Sequence, residues 1–335
     1  MSTPQVPVYT KKDFMSDQII RWCPGCGDYA ILSQAQTVFA ELGIPREQFA
    51  IISGIGCSSR FPYYINAYGF HTIHGRAFSV ATGLKTSRPD LAVWVATGDG
   101  DALSIGGNHL IHCLRRNVDL NILLFNNRIY GLTKGQYSPT SEVGKKTKST
   151  PMGSVDHPFM PAALALGADA SFVARSVDIF VKEQRDVMRA AAAHKGTSFV
   201  ELYQNCIIFN DHAWDQLTEK PVREDRCLFL EHGKPMVFGG GKKGIKLRGL
   251  RPEVVELGNG LTADDCLVHD EADEFLGAIL ARMDYPAFPV PMGVLHRKER
   301  PTYDGQVNEQ LAAAKAAGTA DLQRLLLGKE TWTVK

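Results

Sequence analysis

Two apolar runs, each ending in a polar cluster able to hold a phosphate or a cation, constrain this chain more than anything else in it. The first, Leu91 to Thr97 (LAVWVAT), runs directly into Gly98-Asp99-Gly100-Asp101, and the second, Leu120 to Phe125 (LNILLF), runs into Asn126-Asn127. Between them Asp101 to Arg116 has the length of a helix. Buried strands joined by a helical crossover lie parallel, and the carboxyl ends of parallel strands are where an open α/β sheet places its ligands.

The rest of the first 210 residues repeats the pattern. Ser198 to Tyr203 reads as a third buried strand, Ala50 to Ser53 as a weaker one, and Val177 to Lys195 as a helix ending before Gly196. Glycine turns follow the strands at Gly54 and Gly98. The expected fold is α/β, a mostly parallel sheet flanked by helices, occupying residues 1–210. Beyond Asn210 the texture changes to Gly239–Lys243 (GGGKK), scattered prolines and alternating acidic and basic stretches, so residues 211–335 are expected to form a C-terminal extension for subunit contacts. Its helix candidates are His269 to Met283 and Gln306 to Leu327. No internal repeat is visible. With 335 residues, 44% of them hydrophobic, the chain can bury one large core or two modest ones.

A formal net charge of +1 gives no general reason to expect nucleic acid or an acidic membrane as partner. The basic group Lys242, Lys243, Lys246 and Arg248 is read as a solvated loop. Met1 to Asp17 is polar, without an apolar core of signal-peptide length, and no later stretch approaches the roughly 18 unbroken apolar residues of a membrane span. The expectation is a cytoplasmic protein with no membrane partner.

Mg²⁺ prefers oxygen ligands in octahedral array and usually shares them with phosphates. Asp99 offers a carboxylate, Asn127 an amide oxygen and Ile129 a backbone carbonyl. Gly98 and Gly100 let the backbone approach a diphosphate, and a helix starting near Ala102 would turn its free N–H groups toward it. Asp101 is read either as part of this site or as a helix cap.

Seven cysteines, Cys23, Cys26, Cys57, Cys113, Cys206, Cys227 and Cys266, are an odd number, and in a reducing compartment they argue against a disulfide framework. Trp22-Cys23-Pro24-Gly25-Cys26-Gly27 is a tight Cys-x-x-Cys loop, Cys57 follows a strand in Gly54-Ile55-Gly56-Cys57-Ser58-Ser59, and Cys206 follows another. Four thiolates from separated loops suit either zinc or a [4Fe–4S] cluster, and spacing alone does not choose. Cys113, Cys227 and Cys266 lack partners and read as small core residues. His109 and His112 lie three apart on one helix without a further ligand, and Trp94 and Phe125 read as strand core.

The Gly-Asp-Gly and Asn-Asn pair, 28 residues apart from Asp99 to Asn127, resembles the thiamine-diphosphate signature. With the cysteines, His71-Thr72-Ile73-His74-Gly75-Arg76, and Gly131-Leu132-Thr133-Lys134-Gly135-Gln136, residues 20–210 resemble the beta subunits of 2-oxoacid:ferredoxin oxidoreductases. That resemblance implies thiamine diphosphate with Mg²⁺, and one [4Fe–4S] cluster on Cys23, Cys26, Cys57 and Cys206. It implies a cofactor site built from Ile55, Gly56, Cys57 and Ser58, from His74, Gly75 and Arg76, from Gly98 to Asp101, from Asn127 and Ile129, and from Gly131, Leu132 and Thr133. The implied reaction is reversible oxidative decarboxylation of a 2-oxoacid to an acyl-coenzyme A, with electrons passed to ferredoxin, in an assembly with an alpha subunit that carries the pyrimidine-binding domain. In the family a basic residue at the Arg60 position suits a substrate with a second carboxylate, so Arg60 and Lys134 point to 2-oxoglutarate, with pyruvate or a broader 2-oxoacid range as the alternative. Two rivals remain: a non-redox thiamine-dependent decarboxylase or synthase, which has no need of four cysteines, and a zinc or electron-transfer module, which leaves Gly98 to Asp101 and Asn126-Asn127 unexplained.

Overall fold

The computed structural model describes residues 8–318 and 320–334. Residues 1–7, within the polar N-terminal segment, lie outside the described residues.

The strands are β1 Phe49–Ser53, β2 Tyr68–His71, β3 Ala92–Gly98, β4 Leu120–Asn126, β5 Phe172–Val177, β6 Thr197–Tyr203, β7 Cys227–Phe229, β8 Val237–Phe238, β9 Lys243–Arg248, β10 Arg251–Glu256 and β11 Val290–Arg297. Eight form one sheet in the order β2-β1-β3-β4-β6-β5-β11-β7. From β2 to β5 every pairing is parallel, and β11 is antiparallel to β5. β1, β3 and β4 carry apolar side chains on both faces, as a sheet covered on both sides requires. Ile51, Trp94, Leu123 and Phe125 pack with Leu32, Ala35, Val38 and Phe39 of helix Asp28–Glu41 and with Val187 and Met188 of helix Val181–Ala193. Ile52, Val93, Val95 and Ile122 pack with Phe78, Leu110, Leu114 and Ala165 from helices Ala77–Ser87, Gly107–Arg116 and Pro161–Gly167. The mostly parallel sheet flanked by helices is the fold expected, with the carboxyl ends of β1, β3, β4 and β6 along one edge.

Four elements differ from expectation, each for a local reason. The segment Asp101–Arg116 is two helices, Asp99–Leu103 and Gly107–Arg116. The chain breaks at Ser104 to Gly106 because the loop at Gly75 packs there: a Cβ on Gly75 would lie 2.5 Å from the Gly106 nitrogen, and one on Gly106 would lie 2.5 Å from the Asp101 carbonyl oxygen. The helix expected from Val177 begins only at Val181, because Val177 ends β5. Arg175 hides that strand in the sequence, a cation in a fully buried run, where Glu201 of β6 pairs with it at 2.9 Å. The His269–Met283 candidate shortens to Glu274–Leu280, capped by Asp273, whose Oδ1 accepts from the N–H groups of Phe275 and Leu276. The Gln306–Leu327 candidate is two helices, Tyr303–Ala316 and Leu322–Leu327; residue 319 between them lies outside the described residues.

Residues 211–335, expected as an extension, contribute β7 and β11 to the main sheet and form the separate antiparallel sheet β10-β9-β8. The basic group read as a loop is largely strand β9, paired with β10, and Lys243 Nζ lies 3.0 Å from Asp225. Cys113, Cys227 and Cys266 are buried. No helix among the described residues is long and apolar enough to cross a membrane.

Candidate functional site

Asp101 organises the edge where the strands end. It is buried, 2% exposed, and both its oxygens are engaged: Oδ1 accepts from the Ile55 N–H at 3.1 Å and the Gly75 N–H at 2.7 Å and meets His74 Nδ1 at 2.5 Å, while Oδ2 accepts from the Thr97 hydroxyl at 2.7 Å. One carboxylate thus ties the loops after β1 and β2 to the end of β3. Neither a cap nor a free ligand, it is the pin of the site. The backbone crowds onto it: a Cβ on Gly54 would fall 1.7 Å from its Oδ2.

Asp99, also 2% exposed, points elsewhere. Its Oδ2 accepts from the hydroxyls of Ser138 at 2.6 Å and Thr140 at 2.5 Å. Burial raises its pKa, and those two hydroxyls offset only part of that rise. Asn127 is oriented from two sides, its amide nitrogen donating to Gln204 Oε1 at 2.9 Å and its oxygen accepting from the Ile129 N–H at 3.1 Å. Tyr130 lies against the glycine turn: its hydroxyl donates to the Gly100 carbonyl, and a Cβ on Gly100 would come within 2.3 Å of its ring.

These groups line one cavity of about 150 Å³. Ile55, Gly56, Cys57 and Ser58 form one wall, and Gly98, Asp99, Gly100 and Asp101 the floor, with His74 beside them. Asn127, Ile129, Gly131, Leu132 and Thr133 close the other side. Gly75 and Arg76 do not line it; Gly75 acts through its N–H on Asp101, and the N–H of Arg76 bonds the Ile73 carbonyl. Tyr130 lines it without being singled out in the sequence, although its place next to the Asn127–Ile129 turn was a signal.

A second cavity, of about 280 Å³, holds all four cysteines that the sequence grouped: Cys23, Cys26, Cys57 and Cys206. Arg60 and Lys134 line it too. Cβ atoms built on Gly131 would lie 3.5 Å from the sulfurs of both Cys57 and Cys206, so Gly131 leaves the space between them open. Gln204 Nε2, 3.3 Å from Cys26 Sγ, links this cavity to Asn127. Burial pushes the Cys57 thiol up to about 12 and raises Cys26 and Cys206 as well, so uncompensated thiolates are disfavoured there. Behind the loop, burial pushes Asp28 up to about 7. Among the described residues no three His, Cys, Asp or Glu side chains are close enough to hold a single metal ion, His109 and His112 included.

A third cavity, of about 580 Å³, adjoins the first through Gly56 and Leu132 and is lined by Arg21, Arg60 and His71.

The family described as thiamine pyrophosphate enzyme, C-terminal TPP binding domain, matches residues 54–202, the span that carries the first cavity. The chain is 55% identical over 330 residues to the 2-oxoglutarate oxidoreductase subunit KorB of Mycobacterium tuberculosis, covering 96% of this chain and 88% of that protein. It is 41% identical over 237 residues to the 2-oxoacid:ferredoxin oxidoreductase subunit beta of Saccharolobus solfataricus, covering 65% of this chain and 78% of that one. A solved 2-oxoglutarate:ferredoxin oxidoreductase from Magnetococcus marinus, with 2-oxoglutarate, coenzyme A and succinyl-CoA bound, superposes with a TM-score of 0.76 at 33% identity, covering 97% of this chain and 96% of that chain.

Proposed function

Because this chain belongs to the beta-subunit family of the 2-oxoglutarate oxidoreductases, we propose that it holds thiamine diphosphate through Mg²⁺ beside one [4Fe–4S] cluster and oxidises 2-oxoglutarate to an acyl-coenzyme A. The observation that carries this reading is the shared wall of the two cavities: Cys57, Asn127, Gly131 and Leu132 line both. Such a wall suits one-electron transfer between neighbouring groups.

The residues fit the groups. Asp99 on the floor, with Asn127 and the Ile129 backbone on the other side, would supply an all-oxygen set, as a hard divalent ion requires. Four cysteines line one cavity of about 280 Å³, a thiolate set that suits a [4Fe–4S] cluster as well as zinc, and the likeness to a 2-oxoglutarate:ferredoxin oxidoreductase favours the cluster. Thiamine diphosphate, when bound, supplies the carbanion that attacks the 2-oxo carbon and the electron sink for decarboxylation.

The chain's own side chains bind and orient. Glycines 98 and 100 admit the diphosphate, with His74 held beside it by Asp101. Arg60 reaches both the cysteine cavity and the adjoining one, where its guanidinium suits the distal carboxylate of 2-oxoglutarate, with Lys134 as a second cation and Leu132 as a shaping wall. No glutamate lines the first cavity among the described residues, which supports an alpha subunit that brings the carboxylate activating the cofactor's pyrimidine. Residues 1–210 carry the cofactor groups and 211–335 the subunit contacts, with ferredoxin as electron acceptor. With a strong reductant the same site runs toward carbon dioxide fixation.

Cys57→Ser tests the shared wall. The anaerobically purified complex is expected to lose most of its cluster absorbance and iron while its circular dichroism stays close to that of the unsubstituted protein. An unchanged visible spectrum removes Cys57 from the ligand set, and zinc at one per chain without bound thiamine supports the rival module instead.

A further inference from the structure

We infer that the turn Ser138-Pro139-Thr140-Ser141 is a hydroxyl clasp that positions the metal ligands of the diphosphate site. The inference rests on the thiamine–Mg²⁺ reading above and adds residues that the reading does not use.

The turn is deeply buried although it lies in the long connection after β4: Ser138, Thr140 and Ser141 are 2%, 3% and 2% exposed. Three hydroxyls at that depth require partners, because a buried polar group without one is costly. Their partners are the two strand ends that carry the proposed metal ligands. Ser138 and Thr140 both donate to one oxygen of Asp99, Oδ2, at the end of β3. Ser141 donates to the Arg128 carbonyl at 2.6 Å, inside the Asn127–Ile129 turn at the end of β4, and accepts from the Ser138 N–H at 2.8 Å. Thr140 Oγ1 also lies 3.0 Å from Asn126 Oδ1, the amide whose nitrogen donates to Glu201. The clasp therefore bridges β3 and β4 at the level of the cavity floor, and the Pro139 carbonyl anchors it outside by accepting from the Phe159 N–H at 2.8 Å.

Two hydroxyls on a single carboxylate oxygen have a directional consequence. They fix the Asp99 side-chain torsion and occupy Oδ2, so Oδ1 is the oxygen left for the cation. Arg128 has a left-handed φ of +56°, and the Ser141 bond to its carbonyl holds that turn where Asn127 and Ile129 line the cavity. Outer-shell groups of this kind typically contribute 10–100-fold to metal affinity.

The test uses the complete complex with its partner subunit, stripped of metal and thiamine diphosphate, and reads retained thiamine diphosphate by equilibrium dialysis as Mg²⁺ is titrated. Thr140→Val and Ser138→Ala are each expected to raise the Mg²⁺ concentration for half-saturation about tenfold. Thr140→Ser, which keeps the hydroxyl, should restore it to within about twofold. Ser141→Ala, which removes the bond to the Arg128 carbonyl and the acceptor of the Ser138 N–H but no contact with Asp99, should raise it as well. Should Thr140→Val fail to fold, Ser138→Ala carries the test, since it removes one atom. An unchanged Mg²⁺ requirement in both Thr140→Val and Ser138→Ala, with Asp99→Ala losing binding, overturns the clasp alone. Retained tight binding in Asp99→Ala overturns the underlying metal reading.

Discussion

At the scale of single residues, the two aspartates of Gly98-Asp99-Gly100-Asp101 are alike in the sequence and opposite in use. The hydroxyls of Ser138 and Thr140 converge on one oxygen of Asp99, whereas both oxygens of Asp101 are taken by protein donors. Asp101→Asn therefore has a specific defect. Turned one way, its NH₂ faces the N–H groups of Ile55 and Gly75 and leaves donors unpaired in a buried place; turned the other way, it is met only if the Thr97 hydroxyl reverses from donor to acceptor, and the charge that strengthened every one of these bonds is gone. We expect a loss of roughly 2–4 kcal/mol in stability, read as a lower thermal midpoint, together with weakened cofactor binding. A midpoint unchanged by this substitution contradicts the pin. That Asp99, Asn127 and Ile129 come together was legible because each lies just beyond an apolar run, and the grouping of the four cysteines was legible through the Cys-x-x-Cys loop. The clasp was not: Ser, Pro and Thr in a loop look like any turn, and only burial reveals that their hydroxyls face inward.

At the scale of elements, the strands around the site read well from hydrophobic runs, whereas β5 did not. Its sequence, Phe172-Val173-Ala174-Arg175-Ser176-Val177, carries a cation that pattern reading assigns to a surface, and only the neighbouring Glu201 explains it. Glu201 also fixes Asn126, so this ion pair stands behind the site. Removing one partner, as in Glu201→Leu, should cost about 3–5 kcal/mol because Arg175 is left buried and unpaired, and adding Arg175→Met should recover much of that loss. Urea midpoints of the single and double variants measure it; a double variant no better than the single would show that the pair is not the cause.

Helix ends add a pH dependence. His194, which caps helix Val181–Ala193 and meets the Ser171 hydroxyl at 2.7 Å, is held down to about 4 by burial, and burial also lowers His269 and His296. Each is neutral in the fold and binds a proton more readily when unfolded. Their contribution is present above the unfolded value near 6.5 and is lost as pH falls from there toward 4. Thermal midpoints should drop between pH 6.5 and 4.5, and His194→Gln should flatten part of that slope; an equally steep slope in the variant assigns the acid lability elsewhere.

At the scale of the whole molecule, the sheet sets the site. Parallel order from β2 to β5 brings the ends of β1, β3, β4 and β6 to one edge, so the cysteine loops and the aspartate turn come together from positions as distant as Cys23 and Cys206. That convergence was legible as a pattern, because strand ends in a parallel sheet are ligand sites. The role of residues after 210 was not: β11 pairs with β5 and β7 adds outside β11, and composition says nothing about the β5–β11 pairing, which joins positions more than a hundred residues apart. The identity with the mycobacterial subunit extends across this region, over 96% of the chain, in keeping with a sheet that needs it.

The most direct test of the account is viologen or ferredoxin reduction by the anaerobically co-purified complex with coenzyme A, comparing 2-oxoglutarate with pyruvate. Faster reduction with 2-oxoglutarate, lost in Asp99→Ala and shifted toward pyruvate in Arg60→Ala, is the predicted result. Reduction with neither 2-oxoacid, in a complex that carries thiamine diphosphate and iron, would contradict it.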